Sequence, residues 1–145
     1  WLRLLDKHGK RAAWAVLPDI VHGGHESLAR SLQWLQRVRD KTALWLIAVQ
    51  DGMTADDVSP HLSDAVGIFV GGSSEWKEQT LPMWGRLARR RTCYLHVGRV
   101  NTARRIRLCA MAGADSFDGT SATRFSKNTP RIAAAAAQGA FPWDR

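Results

Sequence analysis

Five apolar runs in this chain of 145 residues each stop at a polar or glycine residue: Asp19, Gln50, Gly71-Gly72, His96 and Asp118. A turn signal follows each stop, and in most units a stretch with apolar residues at helical spacing comes next. Ala43 to Val49 and Ala65 to Val70 are apolar with little alternation, as strands of a parallel sheet buried on both faces are. Strand, loop, helix, strand, repeated, is the pattern of a parallel α/β protein. Such folds keep their active sites at the carboxyl ends of the strands. The pattern therefore brings five chemically capable positions to one rim.

The strands are expected over Ala12 to Leu17, Ala43 to Val49, Ala65 to Val70, Cys93 to Val97 and a short fifth unit across Asp115 to Thr120. Leu28, Leu32, Leu35 and Val38 repeat at helical spacing within Glu26 to Arg39. Thr54 with Asp57 reads as the capping box of a short helix that ends before Pro60. A helix from Trp76 to about Arg91 contains Pro82, which either starts or kinks it. Asn101 is expected to cap a helix over Thr102 to Ala112, which Gly113 ends. Pro130 to Gln138 reads as an alanine-rich helix. Residues 1–138 form one domain, or part of one, and 139–145 a loose tail.

No run of about 18 apolar residues appears, so nothing is expected to span a membrane. The N-terminus lacks the series of a signal peptide. Cys93 and Cys109 show no metal-site spacing, which fits a reduced, cytoplasmic protein with no metal site in this stretch. The chain opens at Trp1 inside a helical pattern, and a full eight-stranded barrel needs roughly 250 residues. Part of a barrel is the expectation. The net charge of +8 is uneven: residues 1–75 carry 8 positive and 9 negative groups, residues 76–145 carry 13 and 4. Arg86, Arg89, Arg90, Arg91, Arg99, Arg104 and Arg105, with Arg107, make the dense part. A guanidinium fork suits phosphate, so this half is expected to bind nucleic acid; a solvated surface is the plainer alternative.

Asp118 lies between Phe117 and the permissive Gly119. A carboxylate so placed can attack the anomeric carbon of a sugar, or simply bond its own turn. Asp19 and Gln50 together match the donors and acceptors of a purine edge. Gly71 and Gly72 let backbone groups approach the same base. Gly71 to Ser74, before a helix, would equally suit a phosphate. His96 is open to stacking or hydrogen bonding, or to a satisfied core position. Asp51 fits a turn with Gly52.

The ordered set resembles the catalytic barrel of tRNA-guanine transglycosylases, and most closely their diverged phage and bacterial relatives acting on DNA. Val16-Leu17-Pro18-Asp19 is similar to the family's base-recognition strand, and Ile47-Ala48-Val49-Gln50-Asp51-Gly52 to its Ile-Val-Gln-Gly segment. Val66 to Gly72 matches its Gly-Gly strand end, Tyr94-Leu95-His96-Val97-Gly98 its Tyr-Leu-Met-Gly-Val-Gly stretch, and Asp115-Ser116-Phe117-Asp118 its Asp-Met-Phe-Asp motif. The likeness covers roughly residues 12–125. It implies a (β/α)8 TIM-barrel type fold, present as its last five βα units. It further implies exchange of guanine for a 7-deazaguanine base through a covalent glycosyl-aspartate. Asp118 is then the nucleophile, and Asp19, Gln50, Gly71, Gly72, His96 and Gly98 bind substrate, the first four holding the base. No redox cofactor or catalytic metal is called for.

Ser73 and Gly119 depart from the family's leucine and cysteine. The zinc subdomain of the tRNA enzymes has no counterpart, which favours DNA over tRNA. The family's further aspartate would lie upstream of Trp1. Two other readings stand beside this one: an unrelated TIM-barrel enzyme of a small phosphorylated metabolite, and an inactive nucleic-acid-binding fragment.

Overall fold

The computed structural model describes residues 1–120 and 129–139 of the chain. Five strands, β1 (Ala15–Val16), β2 (Trp45–Val49), β3 (Val66–Val70), β4 (Leu95–Val97) and β5 (Ser116–Phe117), form one sheet in chain order. Every neighbouring pair is parallel. The helices are α1 (Leu2–His8), α2 (Gly24–Val38), α3 (Ala55–Val58), α4 (Ser74–Arg91), α5 (Ala103–Ala112) and α6 (Thr129–Gly139). Parallel strands in sequential order, joined by right-handed crossovers, leave the connecting helices on one side. The sheet curls inward on the other, as half of a barrel.

Strand alternation decides which residues meet the helices. Trp45, Ile47, Val49, Val66, Ile68, Val70, Leu95 and Val97 are buried in one core. Leu28, Leu35 and Val38 of α2, Leu81, Trp84 and Leu87 of α4, and Ile106 of α5 complete it. The intervening residues take the concave face, with Ala48 beside Phe69, Phe69 beside His96, and His96 beside Ser116. Trp14, just before β1, meets His96 of β4 with ring centroids 4.6 Å apart. Strands three positions apart in a flat sheet stand roughly 14 Å apart. The indole therefore closes a distance that curvature has already shortened.

The strands begin one to three residues later than the apolar runs suggested, because Ala12, Ala43, Ala65 and Cys93 approach the sheet before pairing starts. Thr54 and Asp57 do form a reciprocal capping box on α3. Pro82 neither starts nor ends α4, which runs through it from Ser74. Pro82 is exposed, so the missing backbone bond falls on the solvent side. Asn101 is not the cap of α5; Thr102 is, its Oγ accepting from the Arg105 N–H at 3.2 Å. Gly113 ends that helix in the left-handed conformation at φ 73. The Ala-rich helix is present as α6; most of the expected tail lies outside the described residues. Among those described, no helix is long and apolar enough to cross a membrane.

Candidate active site

The carboxyl ends of β1, β2 and β3 enclose a pocket of about 250 Å³ lined by Asp19, Gln50, Phe69, Gly71, Gly72 and Arg99, among others. Four residues expected to hold a base thus share one cavity. Gln50 is 4% exposed. Its Nε2 donates to Asp19 Oδ2 at 2.9 Å and to Ser27 Oγ at 3.2 Å. Its Oε1 is buried without a hydrogen-bond partner among the described residues. An amide acceptor left unsatisfied costs free energy that an incoming N–H donor would relieve. Gly72 sits at φ 72, and a Cβ there would lie 2.5 Å from Asp51 Oδ2 and 2.7 Å from the Trp76 ring. Only glycine serves at that corner.

Asp118 is at the next strand end but one, about half exposed. His96 Nε2 bonds its Oδ2 at 3.0 Å, and the Arg99 N–H donates to its Oδ1 at 2.9 Å. Partial burial works to raise the carboxyl pKa, but the His96 bond and the Arg99 N–H outweigh it and hold Asp118 below the usual carboxylate range. The group is therefore ionised at neutral pH. His96 is 2% exposed and lies between the Trp14 and Phe69 rings, at 4.6 and 4.9 Å. Its Nδ1 meets Ser116 Oγ at 2.7 Å. Both ring nitrogens are satisfied when Ser116 O–H donates to Nδ1 and Nε2–H donates to the carboxylate.

His96 and Gly98, expected to touch substrate, do not line the pocket. The pleat puts the imidazole on the concave face beneath Asp118, where it orients that carboxylate. The Gly98 carbonyl accepts from Lys77 Nζ.

Lys77 escaped the sequence reading. It is 4% exposed and occupies the first turns of α4, on the buried side with Leu81 and Trp84. A lysine at that spacing on an apolar face was the available signal. Burial, then the like charges of Arg99 and Arg105, push its ammonium down to about 8, with Asp118 and Cys109 acting the other way. In the unfolded chain a lysine titrates near 10.4. Between about pH 8 and 10.4 the unfolded state holds the extra proton, so this group makes stability rise with pH in that window. The buried thiols Cys93 and Cys109, each pushed up to about 11 by burial, act in the opposite sense. The expected result is that wild type minus Lys77→Met, measured by urea unfolding from pH 7 to 10.5, shows a rise on the order of 3 kcal/mol. A flat difference curve would mean the ammonium is solvated.

The predicted arginines do not come together. Arg86, Arg89, Arg90 and Arg91 lie on the last turns of α4, which runs back toward the amino ends of the strands. Arg89 donates to Ala112 O at 2.8 Å and Arg91 to Leu62 O at 3.2 Å, so the first ties α4 to the end of α5 and the second ties it to the segment before β3. Arg99, Arg104 and Arg105 stand at the rim with the pocket. Glu78 pairs with Arg104 and Arg105 at 2.7 and 2.8 Å. Asp51 does not serve only its own turn: its Oδ2 accepts from Ser73 N–H and its Oδ1 from Ser73 Oγ–H, each at 2.6 Å. The Ser73 hydroxyl above all holds the Asp51 carboxyl below its ordinary range. A carboxylate thus already uses two donors, the Ser73 N–H and hydroxyl, that a phosphate on the Gly71–Ser74 loop would draw on.

Ser27, Ser31 and Ser116 were also missed. Ser27 Oγ accepts from the Ile20 N–H at 3.1 Å, and Ser31 Oγ–H donates to Pro18 O at 3.1 Å. The two serines are four apart on the buried face of α2 and fix the loop that carries Asp19. Among the described residues no group of three His, Cys, Asp or Glu side chains is placed to hold a metal ion. Comparison with protein-family models, with curated proteins and with solved structures finds no match to this chain.

Proposed function

We propose that this chain is the later part of a (β/α)8 barrel that exchanges guanine for a 7-deazaguanine base in nucleic acid, DNA in preference to tRNA. The observation that carries the reading is the shared pocket of Asp19, Gln50, Gly71 and Gly72, with an ionised Asp118 linked to it through Arg99. Asp19 and the unsatisfied Gln50 Oε1 offer acceptors to the N–H groups of a guanine edge. Asp118 attacks the anomeric carbon, forming a C–O bond as the C–N bond to guanine breaks. The electron pair leaves with guanine, which takes a proton from water. The incoming 7-deazaguanine gives up its ring N–H proton, attacks the same carbon and releases the carboxylate. Two displacements retain configuration. A base in duplex DNA has to be flipped out to reach the pocket, and Arg99, Arg104 and Arg105 at the rim suit the flanking phosphates.

The test is incorporation of radiolabelled guanine, and separately of 7-cyano-7-deazaguanine, into DNA and into tRNA by the full protein. Label in DNA is the expected result. Label in tRNA alone would keep the chemistry and reverse the substrate. Label in neither, with the protein folded, would overturn the reading.

A further inference from the structure

We propose that Arg99 is an anion-operated latch on the pocket. Its guanidinium bridges the mouth by donating to the Gly72 carbonyl, and a phosphate or phosphodiester of the ligand draws it away. The backbone at Arg99 is left-handed, at φ 58, a conformation unfavourable for a non-glycine residue. It is held there from both sides. Arg99 N–H donates to Asp118 Oδ1, Val100 N–H donates to Asp118 O at 2.6 Å, and Lys77 grips the Gly98 carbonyl. The cost places the side chain between the carboxylate and the pocket.

What the guanidinium meets there is a neutral carbonyl. No carboxylate side chain among the described residues pairs with it, although a charged, two-toothed acceptor suits a guanidinium far better. Lys77 feels the like charges of Arg99 and Arg105, which Asp118 partly offsets, Glu78 is taken by Arg104 and Arg105, and both Asp118 oxygens are engaged. Arg105 is paired and Lys77 is buried on the Gly98 carbonyl, which leaves the exposed Arg99 guanidinium, on the pocket itself, as the group that an anion takes.

The latch also explains why one carbonyl matters twice. Gly72 O belongs to the Gly-Gly pair expected to meet the base, so the guanidinium and a base compete for it. An anion that takes Arg99 frees Gly72 O, and anion binding and base binding then favour each other, reciprocally. The ligand class is a purine carrying a phosphate or phosphodiester, in preference to the free base. The base half of this inference rests on the base-exchange reading; the anion half does not.

Isothermal titration of inorganic phosphate and of guanine into wild type, Arg99→Gln and Arg99→Lys tests it. Phosphate affinity is expected to fall at least ten-fold in Arg99→Gln and less in Arg99→Lys. Saturating phosphate is expected to tighten guanine binding several-fold in wild type only. Arg99→Gln should bind guanine as phosphate-loaded wild type does. Phosphate binding untouched by Arg99→Gln, or guanine affinity indifferent to both phosphate and the substitution, would overturn the latch while leaving base exchange standing. Phosphate held through Arg99 with guanine bound by none of the proteins would keep the anion latch and remove the base-exchange reading.

Discussion

Asp118→Ala is expected to stop base exchange, lowering it by about 10⁴-fold or more, the scale on which a missing nucleophile is felt. The alanine also strips an acceptor from His96 Nε2 and from the Arg99 N–H, so a stability loss of about 1–2 kcal/mol should accompany it. Asp118→Asn separates the two effects. Its carbonyl still accepts from Arg99, and its amide satisfies His96 once the imidazole proton moves to Nδ1 and donates to Ser116 Oγ. Exchange lost in both variants, with the asparagine protein as stable as wild type, is the signature of a nucleophile. Exchange retained by Asp118→Asn would end that role. In the proposed reaction the ionised form is the reactive one, and the folded carboxyl lies below the unfolded value near 3.9. Activity, and the stability this group contributes, should therefore hold above about pH 4 and be lost only as pH falls through the lowered folded pKa.

Gly85→Ala should destabilise the fold, although helix propensity alone favours alanine by about 1 kcal/mol. Gly85 sits mid-way along α4, fully buried, where α5 ends against it. A Cβ there would press into the Ala112 carbonyl oxygen and come within 3.0 Å of the carbonyl carbon. The obstacle is backbone, held by the Gly113 cap and by Arg89, whose Nη1 donates to that same oxygen. It has no rotamer to escape into. Overpacking of this kind costs about 1–3 kcal/mol, occasionally more, and the propensity gain offsets only part. The expected net loss is about 2 kcal/mol, or a fall in melting temperature of roughly 6–10 °C. A melting temperature equal to or above wild type would show that α5 slides freely over α4.

The strand ends were legible because buried parallel strands are written as apolar runs, and the residue that stops each run is also the one delivered to the rim. Asp19, Gln50 and Gly71-Gly72 reach one pocket for that reason. The pleat was harder to read. His96 stands in a strand whose every residue is buried, and nothing in Leu95–His96–Val97 says which side the imidazole takes. Only register against Phe69 and Ser116 sends it beneath Asp118. The arginines were misgrouped because adjacency in the chain is not adjacency in space: α4 carries Arg86 to Arg91 to one end of the sheet, and the chain returns through β4 before Arg99. Lys77, Ser27 and Ser31 were legible in principle, as polar residues on otherwise apolar helical faces.

The contact of Trp14 with His96 has a consequence for the order in which the protein matures. A chain emerging from the ribosome completes Asp19, Gln50 and Gly71-Gly72 two strands before Asp118 is made. Until β4 and β5 arrive, the indole has no imidazole to rest on, and the hollow of the sheet is open. Long-range pairing of this kind is slow relative to local helix formation. On the proposed base-exchange reading, the residues that hold the base are therefore expected to be in place during synthesis before the carboxylate that does the chemistry.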